Sequence, residues 1–154
     1  DVVKHVGVRF CRAIAMPNTQ PPVRNLTDAI AYRDRIVAHI PKNHNLQVLM
    51  TIYLTDNTTP EEIEMAKSSG VVYGAKLYPA GATTNSEFGV TKLAKIDACL
   101  RTMARVGLPL LVHGEVTDKD VDIFDRERYV NLTNRSFLVD LVTIHTKSNP
   151  LSEL

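Results

Sequence analysis

Apolar and polar positions along this chain switch regularly between two periods. "FCRAIAM" (10–16) is a short apolar run that ends at the turn material "PNTQPPV", which predicts a buried strand. "LTDAIAYRDRIVAHI" follows at helical spacing, with Leu26, Ile30, Val37 and Ile40 on one stripe and Ala29 and Ile36 beside it. "LQVLMTIYLT" (46–55) predicts the second strand. A second helix opens at "TPEE", where Thr59 serves as N-cap, Pro60 takes the first position and Glu62 the third, the pattern of a capping box. Gly70 stops it, because glycine tolerates the left-handed conformation of a helix end. The third strand is "VVYGAKLY" (71–78), followed by a long polar loop. "TKLAKIDACLRTMARV" predicts the next helix, with its stripe at Leu93, Ile96, Leu100 and Met103 and its end at Gly107. "LPLLVHGE" (108–115) predicts a fourth strand.

This strictly alternating order predicts an α/β fold in which parallel strands are joined by right-handed crossover helices. Two architectures fit: an open, doubly wound sheet, and part of a TIM-type (β/α)8 barrel represented by about four strands. No GxGxxG or GxxxxGK[ST] loop is present, which weighs against a nucleotide-binding open sheet. Chemically able side chains gather at the carboxyl ends of the strands: Asn18 after the first, Lys76 and Tyr78 in the third, His113 and Glu115 after the fourth. Both architectures bind ligands at that end, so the pattern points to an enzyme before it points to a barrel.

Composition changes the picture little. With 154 residues the chain has the length of one ordinary domain, and 44% hydrophobic with 23% charged residues is the balance of a soluble protein. A net charge of +1 without a dense basic patch gives no reason to expect nucleic acid. No apolar run reaches the ~20 residues of a membrane helix. Cys11 and Cys99 lack CxxC spacing, and a reducing compartment is the simplest reading. The chain opens on Asp1 rather than Met, and reads as a piece whose beginning lies elsewhere.

Lys76 raises the sharpest chemical question, because it interrupts an apolar, β-favouring run and a buried ammonium is costly. It could snorkel to the strand end or pair with a carboxylate. With a depressed pKa it could instead form a Schiff base with a carbonyl substrate. A third reading is that the neutral amine takes up carbon dioxide, giving a carbamate anion able to bridge two divalent metals. His113 is either a hydrogen-bonded turn residue or a metal ligand on a rigid mount. Asn18 is either a turn asparagine or an amide that fixes a polar substrate group. The loop "PAGATTNSEFG", with Thr83, Thr84 and Ser86, is either a connector or a lid.

Taken together, "RAIAMPNTQPPV", "LMTIYLTD", "AKLYPAGATTNSEFGVT" and "PLLVHGEVTDKDVDIFDRE" resemble dihydroorotase of the stand-alone type found in bacteria, plants and fungi, over residues 12–128. The resemblance implies a zinc-dependent cyclic amidohydrolase on a barrel, acting in pyrimidine synthesis on small-molecule substrates, N-carbamoyl-L-aspartate and dihydroorotate. It implies two Zn2+ ions, Lys76 as the carbamate that bridges them, and His113 as a ligand of the second. Asn18 matches a residue that holds the substrate carboxylate, and Thr83 and Thr84 match a loop that closes over the substrate. A homodimer is implied for the intact enzyme, with neither nucleic acid nor membrane as partner. The compartment stays open between cytoplasm and an organelle, a mitochondrion or plastid, if the source is a plant.

The family's H-x-H metal pair, its substrate-gripping arginine and its catalytic aspartate have no counterpart here. Residues 1–130 are therefore expected to be a partial barrel domain and 131–154 a divergent tail. In that tail His145 follows an apolar run, as in the family's next strand, but arrives too early. The chain by itself is expected to be inactive. A non-catalytic fragment or splice product, and a Schiff-base lyase, are the competing readings.

Overall fold

The computed structural model describes residues 2–82, 84–114, 120–122 and 125. The expected tail 131–154 with His145, the turn residue Glu115 and the loop residue Thr83 lie outside them. The described chain runs α1 (Val2–Gly7), β1 (Arg12–Ala15), α2 (Leu26–Val37), β2 (Gln47–Tyr53), α3 (Pro60–Ser68), β3 (Val72–Leu77), a 3-10 turn (Leu93–Ile96), α4 (Asp97–Val106) and β4 (Leu110–Val112). The strands form one sheet in the order β1-β2-β3-β4, every neighbouring pair parallel. A doubly wound sheet reverses its strand order and carries helices on both faces. Here the order is sequential, and α2, α3 and α4 share one apolar layer with the same side of the strands. That is the arrangement of consecutive β/α units in a barrel.

Side chains alternate across the strands. Ala15, Val48, Met50, Ile52, Ala75, Leu77, Leu110 and Val112 pack toward the helices, where Ala29, Ile63, Ala66, Leu100 and Met103 meet them. The opposite, inward side carries Ile14, Leu49, Thr51, Tyr53, Gly74, Lys76 and Leu111, and Ile14 remains 54% exposed there. The β2–β3 register slips by one residue: Met50 faces Val72, whereas Thr51 faces Gly74. Tyr73 is the extra residue, a bulge within the ladder.

Helix ends follow the sequence closely. The Thr59 side chain accepts the Glu62 N–H, with Pro60 in the first turn. Asn25 caps α2 by accepting the Asp28 N–H at 2.8 Å. Gly107 ends α4 at φ 68°, in the left-handed region that disfavours a Cβ.

Three expectations need correction. The stripe placed on Ile30, Val37 and Ile40 is rotated: the buried line of α2 is Leu26, Ala29, Tyr32 and Ile36, and Val37 is 49% exposed. Successive helical residues differ by about 100°, so burying Ile36 turns Val37 off the core. The helix from 91 onward begins as a 3-10 turn and becomes α-helical only at Asp97, with no side-chain cap on its first N–H groups. Residues 2–7, to which the sequence pattern assigns no element, form α1. Among the described residues no helix is long and apolar enough to cross a membrane.

Candidate active site

The inward side of β3 and the ends of its neighbours build the site. Lys76 lies opposite Tyr53 on β2 and Leu111 on β4. Its Nζ donates to the Val112 carbonyl at 3.1 Å and stands 5.2 Å from the centre of the Tyr78 ring. It is half-buried, and this burial holds its pKa below that of an ordinary lysine. No carboxylate among the described residues forms an ion pair with it. The snorkelling reading fits the carbonyl contact, whereas the carboxylate-pair reading has no support there.

His113 is half-buried, and its backbone N–H donates to the Leu77 carbonyl at 2.9 Å, which carries the parallel pairing one residue past β4. Its ring centre lies 5.8 Å from that of Tyr78. Tyr78 therefore stands between Lys76 and His113 and touches both. Its other neighbour is Tyr53, at 5.0 Å between ring centres. Burial raises the phenol of Tyr78. Tyr53, fully buried, is pushed up to about 12 by burial first, then by the Glu87 carboxylate and by Tyr78.

The β3–α4 loop starts from a closed base. Ala80 N–H donates to the Val90 carbonyl at 3.2 Å, and Val90 N–H to the Tyr78 carbonyl at 2.9 Å. Gly89 fits between them only because it has no side chain: a Cβ there would lie 2.5 Å from the Tyr78 carbonyl oxygen. From this base the loop reaches back to the end of β1. The Asn18 amide Nδ2 donates to the Thr84 carbonyl at 3.3 Å, and Asn85 Nδ2 donates to the Asn18 carbonyl at 2.9 Å. Gln20 Nε2 donates to Asn85 Oδ1 at 2.7 Å, and the Tyr53 hydroxyl donates to the Asn85 carbonyl at 3.2 Å.

The structure thus groups Lys76 with His113 around Tyr78, and Asn18 with Thr84 in the loop contact. Tyr53, which carries the Asn85 contact and stacks on Tyr78, joins the two groups. Tyr53, Gln20 and Asn85 are the residues sequence reading passes over. Asn85 alone left a trace, as an asparagine in a polar loop, the residue type after glycine best able to take a positive φ.

As a metal site the described part is incomplete. A deprotonated lysine derivative and an imidazole are sound donors for a divalent cation. Yet no group of three or more His, Cys, Asp or Glu stands together among the described residues. The residues fit one side of such a site. A separate polar cleft of about 410 Å3, lined among others by Arg24, Asp56, Glu62 and Glu87, contains none of the predicted site residues.

These elements are consecutive β/α units of a (β/α)8-type barrel, with the candidate chemistry at the carboxyl ends of the strands. The chain is similar, in sequence and in fold, to dihydroorotases. A dihydroorotase from Nitrosococcus oceani is 59% identical over 128 residues, which cover 83% of this chain and 37% of the relative. One from Stutzerimonas stutzeri is 61% identical over 121 residues, covering 79% and 35%. The crystal structure of dihydroorotase from Campylobacter jejuni superposes with a TM-score of 0.80 at 34% identity, over 92% of this chain and 40% of that one. Dihydroorotase from Saccharomyces cerevisiae, solved in complex with 5-fluoroorotic acid, gives 0.71 at 31% identity, over 85% of this chain and 37% of that one. L-hydantoinase (dihydropyrimidinase) from Arthrobacter aurescens, at 16% identity and a TM-score of 0.57, shares the fold. No protein-family model matches the chain. The chain spans 37% of the length of the first of these curated relatives.

Proposed function

We propose that residues 1–130 supply part of the active site of a dihydroorotase, a cyclic amidohydrolase that interconverts N-carbamoyl-L-aspartate and dihydroorotate. The observation that carries this reading is the placement of Lys76. It is an inward-facing, half-buried amine with a lowered pKa, no carboxylate partner among the described residues, and an imidazole across the same tyrosine ring. A lowered pKa enlarges the fraction of neutral amine at pH 7, which is the form that attacks carbon dioxide. The ammonium first gives up one proton; the neutral amine nitrogen then bonds to the carbon and loses a second proton to water, leaving a carbamate anion.

In this reading the Lys76 carbamate and His113 would each hold Zn2+, two ions in the whole enzyme. Bound zinc would lower the pKa of a water and polarise the amide carbonyl of the substrate. Asn18 has two N–H groups on its side-chain amide. One donates to Thr84, and the other is assigned to a substrate carboxylate. Thr83 and Thr84 are assigned to the loop over the substrate, which is a small molecule. Two copies are expected to pair in the whole protein.

Mass spectrometry of the chain kept in bicarbonate and zinc tests the central step. The expected result is a gain of one carbon dioxide, mapped to Lys76, lost in acid and absent from Lys76→Arg. An unmodified Lys76 would count against the carbamate. Borohydride trapping of a carbonyl compound on Lys76 would replace it with the lyase reading.

A further inference from the structure

We propose that Asn85 is a positioning residue: it latches the tip of the β3–α4 loop to the end of β1 and thereby sets the direction of the Asn18 amide. Asn85 has φ 56°, and it is the one non-glycine residue with positive φ among those described. Asparagine is the non-glycine residue that takes this left-handed conformation most readily, and here the turn it makes aims its side chain at the end of β1. Every polar group of its side chain is used there. Nδ2 reaches the Asn18 carbonyl, and Oδ1 receives Gln20 Nε2. Its backbone carbonyl receives the Tyr53 hydroxyl.

These partners lie far from Asn85 along the chain: 67 positions for Asn18, 65 for Gln20 and 32 for Tyr53. The base of the loop, by contrast, is closed by its own residues, through Ala80, Val90 and Tyr78. The loop is therefore a fixed base with a separately fastened tip. The tip can release without disturbing the base.

Release would act on Asn18 directly. Both its backbone carbonyl and its side-chain amide are bound to the tip, the first by Asn85 and the second by Thr84. Holding the tip down fixes the plane of the Asn18 amide. That this amide faces a substrate rests on the function proposed above; that Asn85 fastens it does not.

Gln20→Ala and Tyr53→Phe test the latch without touching the loop's own sequence. Nitrogen-15 relaxation of the chain, with no metal or substrate added, is the measurement. In the wild type, residues 84–86 are expected to show order parameters near the rigid value of about 0.85, falling below about 0.6 in Gln20→Ala. The side-chain amide protons of Asn18 should exchange with water about tenfold faster in that variant, the effect of losing roughly one hydrogen bond, at an unchanged melting temperature. Tyr53→Phe should loosen 84–86 in the same direction. Unchanged order at 84–86 in both variants would overturn the latch. So would loosening spread evenly over the barrel segment with a lowered melting temperature, since that is the mark of a merely structural residue. Because no substrate enters the assay, its outcome is independent of whether the chain serves a dihydroorotase.

Discussion

Tyr53 is fully buried with its hydroxyl bonded to a loop carbonyl, and its phenol is held up at about 12. The neutral form is thus favoured in the folded chain relative to the unfolded one, where tyrosine titrates near 10. Stability is at its full value below pH 10 and declines as the pH rises through about 12. Two pH units correspond to on the order of 2–3 kcal/mol. Denaturant titrations between pH 8 and 12 should show this loss, and Tyr53→Phe should remove most of it. A fall of the same size in Tyr53→Phe would show that another group carries it. The sequence makes Tyr53 legible as a core residue, through its apolar run, but not as a hydrogen-bond donor. Its partner Asn85 is 32 positions away and is brought near only by the parallel pairing of β2 and β3. Lys76 is the opposite case, since a lysine inside an apolar strand announces itself without any fold.

Between helices, the most extensive contact joins α3 and α4 over the strands. Ile63 and Ala66 of α3 meet Leu100 and Met103 of α4, and Arg105 pairs with Glu64 at the rim. The rim pair is exposed and contributes little. The core contributes much more: Met103→Ala should cost about 2–5 kcal/mol. Thr59→Ala removes the cap accepting the Glu62 N–H and should cost about 1 kcal/mol. Chemical denaturation of both variants checks the order, which a larger loss at Thr59 would reverse. Caps were readable because they depend on neighbours in sequence: Thr59 with Glu62, and Gly107 with α4. The rotation of α2 was not, because Val37 and Ile36 are equally apolar and only the position of the sheet decides which is buried. The 3-10 start of α4 also follows from tertiary placement. There Thr91 and Lys95 are tied to Asp56, whose carboxyl is held at about 2 by hydrogen bonds from Lys95 and then Thr91.

Across the whole molecule, the alternation of elements was enough to establish parallel strands, and sequential strand order was needed to separate a barrel segment from an open sheet. The inward side of that segment is incompletely covered, with Ile14 54% exposed. It holds two candidate metal donors, Lys76 and His113, and no cluster of three histidine, cysteine or acidic groups among the described residues. The 154-residue chain is therefore expected to show no turnover of dihydroorotate, with or without added zinc, when product is followed by chromatography. Zinc-dependent turnover by the purified chain would show that it completes the site by means outside the described residues. The bulge at Tyr73 bears on all of this. Between Val72, which points to the helices, and Lys76, which does not, lies an odd residue that resets the count. Paired without that bulge, the same strand would keep every apolar side chain it has and still drive its amine into the oily layer beneath, so the chemistry of β3 hangs on parity as much as on identity.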